Sequence, residues 1–513
     1  MAILLFGMAA LVAVVGNGEL LSQEPPSATP RPEVLVRDLD SNDPVVRTAS
    51  ASLLAELAES SRSRRFRPGV EGETAFFRQV AGAALARHVT DPVPSVRRAV
   101  VGALAQVRAE GPTATAAWSK ALADEDVVVR REVVAALREY FQRSAELAGP
   151  LSYREQLPPL TYFLQDIEAT ASLVRRCLES EDPFLRQGAL KALDALLDSL
   201  ENLPDIAGRN VDPLAITEEA VEPVRQAVVP AVSAIRSLLP PVVQVAATDA
   251  TDTRRQAVRI VEKVALLCDP RPDLFERREG GTGRQRGRLH RGDLGPGGRE
   301  AITLLQEGLK DAVPGILPLL RQPPVETQRA VLDAFEVIGP IARQAVPEVR
   351  VQLRHADPFV RWAAARALAA IGPTGDDSAT VTALAERISD DDLDVATAAC
   401  RYLGDAFAKD ALPALPALSR AAASEERQLQ HAAVLALEDI ANVLRGEAKA
   451  AVPGLIVALQ SPDLKTRQLA PLILGTLGPA AEAAVPALEK ALRDEDPDVR
   501  QRAGQALLKI RSR

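Results

Sequence analysis

Asp357-Pro-Phe-Val-Arg-Trp-Ala-Ala-Ala-Arg-Ala-Leu-Ala-Ala-Ile-Gly372 contains a helix start, one apolar stripe and a helix stop. The Asp side chain can accept from the free amides of a first turn, and Pro358 fits the first helical position, where an N–H would go unpaired anyway. Ala364, Ala367, Leu368 and Ile371 recur at helical spacing, and Gly372 suits the residue that ends a helix. A single helix this short is marginal in water unless its stripe is buried against something.

The same stretch recurs through the last two hundred residues. Its first five positions read Pro324-Val-Glu-Thr-Gln328, Asp357-Pro-Phe-Val-Arg361, Asp392-Leu-Asp-Val-Ala396, Glu426-Arg-Gln-Leu-Gln430, Asp463-Leu-Lys-Thr-Arg467 and Asp496-Pro-Asp-Val-Arg500. The fifth positions lie 33–37 residues apart. Such a period is the signature of a stacked helical-repeat solenoid. Between the copies lies a shorter apolar stretch, such as Val485, Leu488 and Leu492, entered through Ala-Val-Pro (Pro314, Pro347, Pro453, Pro486) and ended by an acidic turn such as Asp494-Glu-Asp-Pro497. The predicted fold is therefore all-α: a superhelix of stacked antiparallel helix pairs. Low aromatic content (3%) and abundant Ala suit helices that pack closely over a long distance.

The run Asp-Pro-x-Val-Arg-x-x-Ala-x-x-Ala-Leu-x-x-Ile-Gly resembles the HEAT-repeat superfamily of armadillo-like helical proteins, in the short HEAT-like form also seen in bilin lyases. The resemblance implies a ladder in which the motif Asp and Arg join neighbouring repeats. It carries that role onto Arg47, Arg97, Arg130, Arg186, Arg254, Arg361, Arg467 and Arg500, with Asp357, Asp463 and Asp496 as acidic members. Gln328, Ala396 and Gln430 interrupt the ladder, and those repeats are expected to stack more loosely. The resemblance also implies a scaffold that binds protein partners and has no catalytic role.

The N-terminal half spaces the motif less evenly, at Asp43, Pro94, Asp126, Asp182 and Asp249, with Glu222-Pro-Val-Arg225 as a further candidate. The gaps after Arg130 and Arg186 leave room for degenerate repeats or long helices. Two stretches have no helical period: the basic Ser60–Gly72, and Asp269–Arg299, rich in Gly and Arg around Arg284, Arg286, Arg288, His290 and Arg291. The expected organisation is a leader and Pro-rich linker at 1–32, an irregular array at 33–268, a disordered Gly/Arg-rich insertion at 269–299 and a regular array at 300–513. Residues 2–15 are uncharged and apolar, too short for a spanning helix and suited to a signal-peptide core. Export to a periplasmic or extracellular site is expected, with a membrane-anchored or cytoplasmic chain as the alternative; a membrane is involved only if that segment stays as an anchor.

The net charge of −8 disfavours general binding to nucleic acid, which is not the expected partner, although the Arg/Gly insertion keeps nucleic-acid binding as an alternative. Cys177, Cys268 and Cys400 are scattered and read as small core residues. None of His88, His290, His355 and His431 precedes a Glu. The His-Glu iron sites of deoxyhypusine hydroxylases, which are also helical-repeat proteins, are therefore not written here. No phosphate loop or nucleophile elbow is present. No cofactor or metal is expected, and the rival class is an accessory or chromophore-handling enzyme of the bilin-lyase type. Counted from the motif Asp, slots eight, eleven, twelve and fifteen of the second helix should face the core, and slots six, ten and thirteen a concave groove. The groove slots hold Arg329, Asp333 and Glu336, then Trp362, Arg366 and Ala369, then Thr397 and Arg401, then His431, Leu435 and Glu438. Arg329, Trp362, Arg366, Arg401 and His431 are the candidate partner-binding residues, with Trp362 as anchor.

Overall fold

The computed structural model describes residues 31–63, 75–147, 153–208, 218–268, 296–375 and 377–512, and every regular element among them is helical. The motif stretches form the second helices of the pairs: Pro44–Ser63, Pro94–Gln106, Val127–Leu147, Pro183–Gly208, Thr251–Cys268, Val325–Ile338, Pro358–Ile371, Leu393–Asp405, Arg427–Leu444, Leu464–Leu477 and Pro497–Arg511.

The local reasons for these helices are visible at both ends. Asp357 accepts from the amides of Phe359 at 2.8 Å and Val360 at 3.3 Å; Asp463 accepts from Thr466 and Asp496 from Val499 in the same way. Gly339, Gly372 and Gly478 close their helices at φ of 60°, 74° and 62°, a region glycine enters without the penalty of a Cβ. In the Pro358 helix, Val360, Ala364, Ala367, Leu368 and Ile371 are buried, as the period requires. The first helices of the regular array are short. Val346–Gln352, Val452–Ala458 and Val485–Ala491 each follow a tight 3-10 segment, and each carries its Pro in the first turn.

In the regular array each second helix packs directly on the next, while consecutive first helices touch far less. The second helices thus form one continuous row, the one expected to line the concave groove and so to be the inner face.

The N-terminal half differs. Its first-layer helices Tyr153–Leu178, Glu218–Thr248 and Pro296–Ile316 are long and pack extensively along one another. The first two fill the wide gaps after Arg130 and Arg186, and the third leads into the regular array. The candidate motif at Glu222–Arg225 lies inside the Glu218–Thr248 helix and marks no turn. Residues 60–63 close the Pro44–Ser63 helix, and residues 296–299 open the Pro296–Ile316 helix, inside the stretch assigned to the insertion. The apolar leader, the rest of the basic loop and the Arg cluster of the insertion lie outside the described residues.

Candidate partner-binding face

Along one edge, Arg side chains tie neighbouring repeats together. Arg47 meets Asp91 at 2.7 Å, Arg97 meets Asp124 at 2.7 Å, Arg186 meets Asp249 at 2.6 Å and Arg361 meets Asp390 at 2.6 Å. Arg467 lies 3.3 Å from Asp494 and 3.0 Å from Glu495. The remaining guanidinium nitrogen of Arg361 donates to the carbonyls of His355 and Ala356, both at 2.9 Å, and so ties its own turn as well. The planar fork of Arg suits this double duty.

Asp249 is a motif Asp, but the other acidic members of these rungs are not the expected ones. Asp390 and Asp494 stand two residues before the motif Asp, whereas Asp357, Asp463 and Asp496 cap their own helices, and the last two also meet the preceding repeat, Asp463 at His431 and Asp496 at Gln468, 3.2 Å away. Not every Arg is a rung either. Arg130 and Arg500 bond only carbonyls of their own turns, and Arg254 leaves its buried Nε without a partner. Next to Arg130 the bridge passes to Arg131, 3.1 Å from Asp182.

The interrupted positions are not uniformly loose. Gln430 donates to the Ala422 carbonyl and accepts from Ser461 Oγ at 2.5 Å, a neutral rung with Ser in the acid's place. Ala396 makes no rung, yet on the same helix a Cβ on Gly404 would lie 2.8 Å from Ala436 Cα, so the two helices approach closely. Gln328 reaches only the Leu320 carbonyl of its own turn. Burial opposes the charge of Asp390, but hydrogen bonds from Arg361 and the Asp392 amide outweigh it and hold the carboxyl below its ordinary value; Asp91 and Asp124 behave alike.

On the second helices, Trp362 is half-buried against the core and its ring packs under Arg366, 4.3 Å from the guanidinium carbon to the ring centroid. Arg366 is held in turn by Glu336 of the preceding repeat. Arg329 is exposed and lies over the Phe359 ring at 5.1 Å. Arg401 is exposed one repeat further on, close enough to act on Asp405 and Tyr402 through space. His431 stands on the same row, but its Nδ1 turns to Thr466 Oγ1 at 3.2 Å and Asp463 at 3.5 Å. The structure thus joins Trp362, Arg366 and Glu336 in one cluster, sets Arg329 and Arg401 beside it, and gives His431 to the next repeat's helix start. The second tryptophan, Trp118, is fully buried, donates to the Val101 carbonyl at 3.1 Å and meets Tyr140 edge to face.

The slot count missed Tyr402, Asp405 and Asp439. Tyr402 fills an eleventh slot assigned to the core and is half-buried. Asp405 and Asp439 fill fourteenth slots, four residues beyond slot ten and therefore on the same helix face. It also missed a buried polar bracket in the N-terminal half. There Asp166 accepts from Arg78 at 3.1 Å and from the Gly111 amide at 3.0 Å, and a Cβ on Gly111 would strike that carboxylate.

The family model for HEAT repeats matches residues 313–404 and 415–509. The C-terminal array is built of HEAT repeats. Solved structures similar to the chain include importin β (14% identity, 93% of this chain and 66% of that one, TM-score 0.39). A chain from a study of the cadherin–β-catenin interaction is also similar (15% identity, 93% and 98%, TM-score 0.36), as is an engineered protein (24% identity, 49% and 96%, TM-score 0.29). The chain spans about half the length of the Kap121p structures it matches. No curated protein matches it in sequence.

The HEAT-repeat face offers an aromatic ring, fixed cations and carboxylates. Burial pushes the thiols of Cys177 and Cys400 up to about 12, which leaves them as core side chains and not as nucleophiles. Among the described residues no group of three His, Cys, Asp or Glu side chains could hold a metal ion.

Proposed function

We propose that this HEAT-repeat chain is a non-catalytic scaffold whose inner face holds a protein partner, with Trp362 as the anchor. The observation that carries the proposal is the fixed state of that ring. Trp362 sits on the inner row with Arg366 stacked on it, and Glu336 holds Arg366 from the neighbouring repeat. A large side chain fixed before binding loses little freedom when a partner covers it, and Trp beside Arg is the composition that dominates binding energy at interfaces. We also propose that residues 2–15 direct export.

The test pairs Trp362→Ala with Trp362→Phe in the full chain. Partner recovered by affinity capture should fall by at least about tenfold for Ala and return in large part for Phe, with melting temperatures close to the parent. Capture unchanged by Trp362→Ala, or a variant that unfolds together with a Phe variant that binds no partner, overturns the assignment.

A further inference from the structure

Asp405, Glu438 and Asp439 stand together on the inner face beyond Trp362, on two adjacent second helices. Among the described residues none of the three carboxylates has a hydrogen-bonded or ion-paired partner, whereas the rung acids Asp91, Asp124, Asp249 and Asp390 each meet an Arg. Arg401 and Arg502 act on the group only through space, and Arg502 donates to the Gln468 carbonyl. Asp439 Oδ2 would lie 3.1 Å from a Cβ on Gly404, so the absence of a side chain there makes room for it beside Asp405.

For folding alone, this arrangement is unfavourable in two ways. The exposed Asp405 and Asp439 and the half-buried Glu438 repel one another, and Asp405 closes its helix, where the helix dipole disfavours a negative charge. Beside them run two apolar side chains at successive tenth slots: Leu435, 41% exposed, and Leu472, half-buried. The stretch is therefore an apolar strip edged by unpaired negative charge.

We propose that this stretch of the inner face takes a lysine- or arginine-bearing apolar segment of the partner. The apolar side chains of that segment would lie over Leu435 and Leu472, and its cation among Asp405, Glu438 and Asp439. The proposal rests on the inner face being the binding face and adds the chemistry of what it binds. Charge complementarity chooses this occupant. An acidic segment would meet three carboxylates with no cation bonded to them, and a purely apolar one would bury them unpaired.

The probes are two synthetic amphipathic peptides with the same leucine pattern, one carrying Lys and the other Glu at the remaining positions. Binding to the full chain is read by peptide fluorescence anisotropy. The Lys peptide should bind at least about tenfold more tightly than the Glu peptide and weaken as salt is raised. The Asp405→Asn, Glu438→Gln, Asp439→Asn triple variant should lose that preference while melting no lower than the parent. Equal binding of the two peptides, an intact preference in the triple variant, or a lower melting temperature for it overturns the proposal. The Trp362→Ala chain separates the two readings. Loss of the captured partner with the peptide preference intact upholds both. Full retention of the partner with the preference intact removes the Trp anchor alone.

Discussion

At the scale of the residue, Arg361 shows how one side chain holds two repeats. It bonds Asp390, whose side chain is 2% exposed, and two carbonyls of its own turn. Arg361→Ala strips both carbonyls of their Arg donor and leaves the buried Asp390 with only Arg387 and the Asp392 amide. The full chain should lose about 1–3 kcal/mol in chemical denaturation. Arg361→Lys should recover only part of this, because an ammonium cannot reproduce the planar fork. Arg366→Ala removes a part-exposed ion pair and a ring contact, and should cost about 0–1 kcal/mol. Equal losses for Arg361→Ala and Arg366→Ala would show that the ladder does not hold the array. The Arg of each rung was legible because it sits at a fixed motif slot. Its acid was not, because the turns read Asp390-Asp-Asp392 and Asp494-Glu-Asp496, with three acids in a row. Composition cannot tell which caps and which bridges. Reach decides: the third acid faces the amides ahead of it, and the first meets the preceding repeat's Arg.

At the scale of the element, the second helices were legible because cap, Pro, stripe and terminal Gly all agree. The long first-layer helices were not. Glu218–Thr248 contains Pro223, Pro230, Pro240 and Pro241, which read as breaks, yet the helix runs on, packed between Tyr153–Leu178 and Pro296–Ile316. Burial along its length offsets the local penalty, a tertiary effect that no short window of sequence contains. The helix pair without a rung at Ala396 shows the converse, because there close packing stands in for the missing ion pair. Gly404→Ala would place a methyl 2.8 Å from Ala436 Cα, a backbone atom that cannot swing aside. Within a helix the change ordinarily stabilises by about 0.5–1 kcal/mol. Here overpacking should reverse the sign and cost about 1–3 kcal/mol. Thermal unfolding of the full chain checks it, and a raised melting temperature would mean that the two helices are not held in contact.

At the scale of the whole molecule, the solenoid was legible from its period, and part of the candidate face from counting slots. The rest escaped because three rows were counted and the fourteenth slot, carrying Asp405 and Asp439, shares the face of the tenth. The two sets of acids predict how the entire chain responds to pH. Asp91, Asp124 and Asp390 titrate below the ordinary value of 3.8, because their hydrogen bonds to Arg outweigh burial. Their stabilising contribution is complete above that value and is lost as pH falls from it through their lower folded values. Asp333, Asp405, Glu438 and Asp439 titrate above their ordinary values, first because of burial and, for the last two, also because of a neighbouring like charge. A carboxyl raised in the folded state penalises folding at neutral pH, and the penalty fades as pH falls through its folded value. The unfolding midpoint should therefore rise as the solution is acidified from neutral toward the ordinary carboxylate range, and then drop once the rung acids protonate. Denaturant unfolding of the full chain over that range measures the profile. The Asp405→Asn, Glu438→Gln, Asp439→Asn variant should flatten the rise and leave the acid drop unchanged, because the drop belongs to other carboxylates, Asp91, Asp124 and Asp390 together with Asp182, Asp463 and Asp496. A rise of equal size in that variant would assign it to other groups, and a steady fall from neutral pH would show that the inner carboxylates carry no penalty.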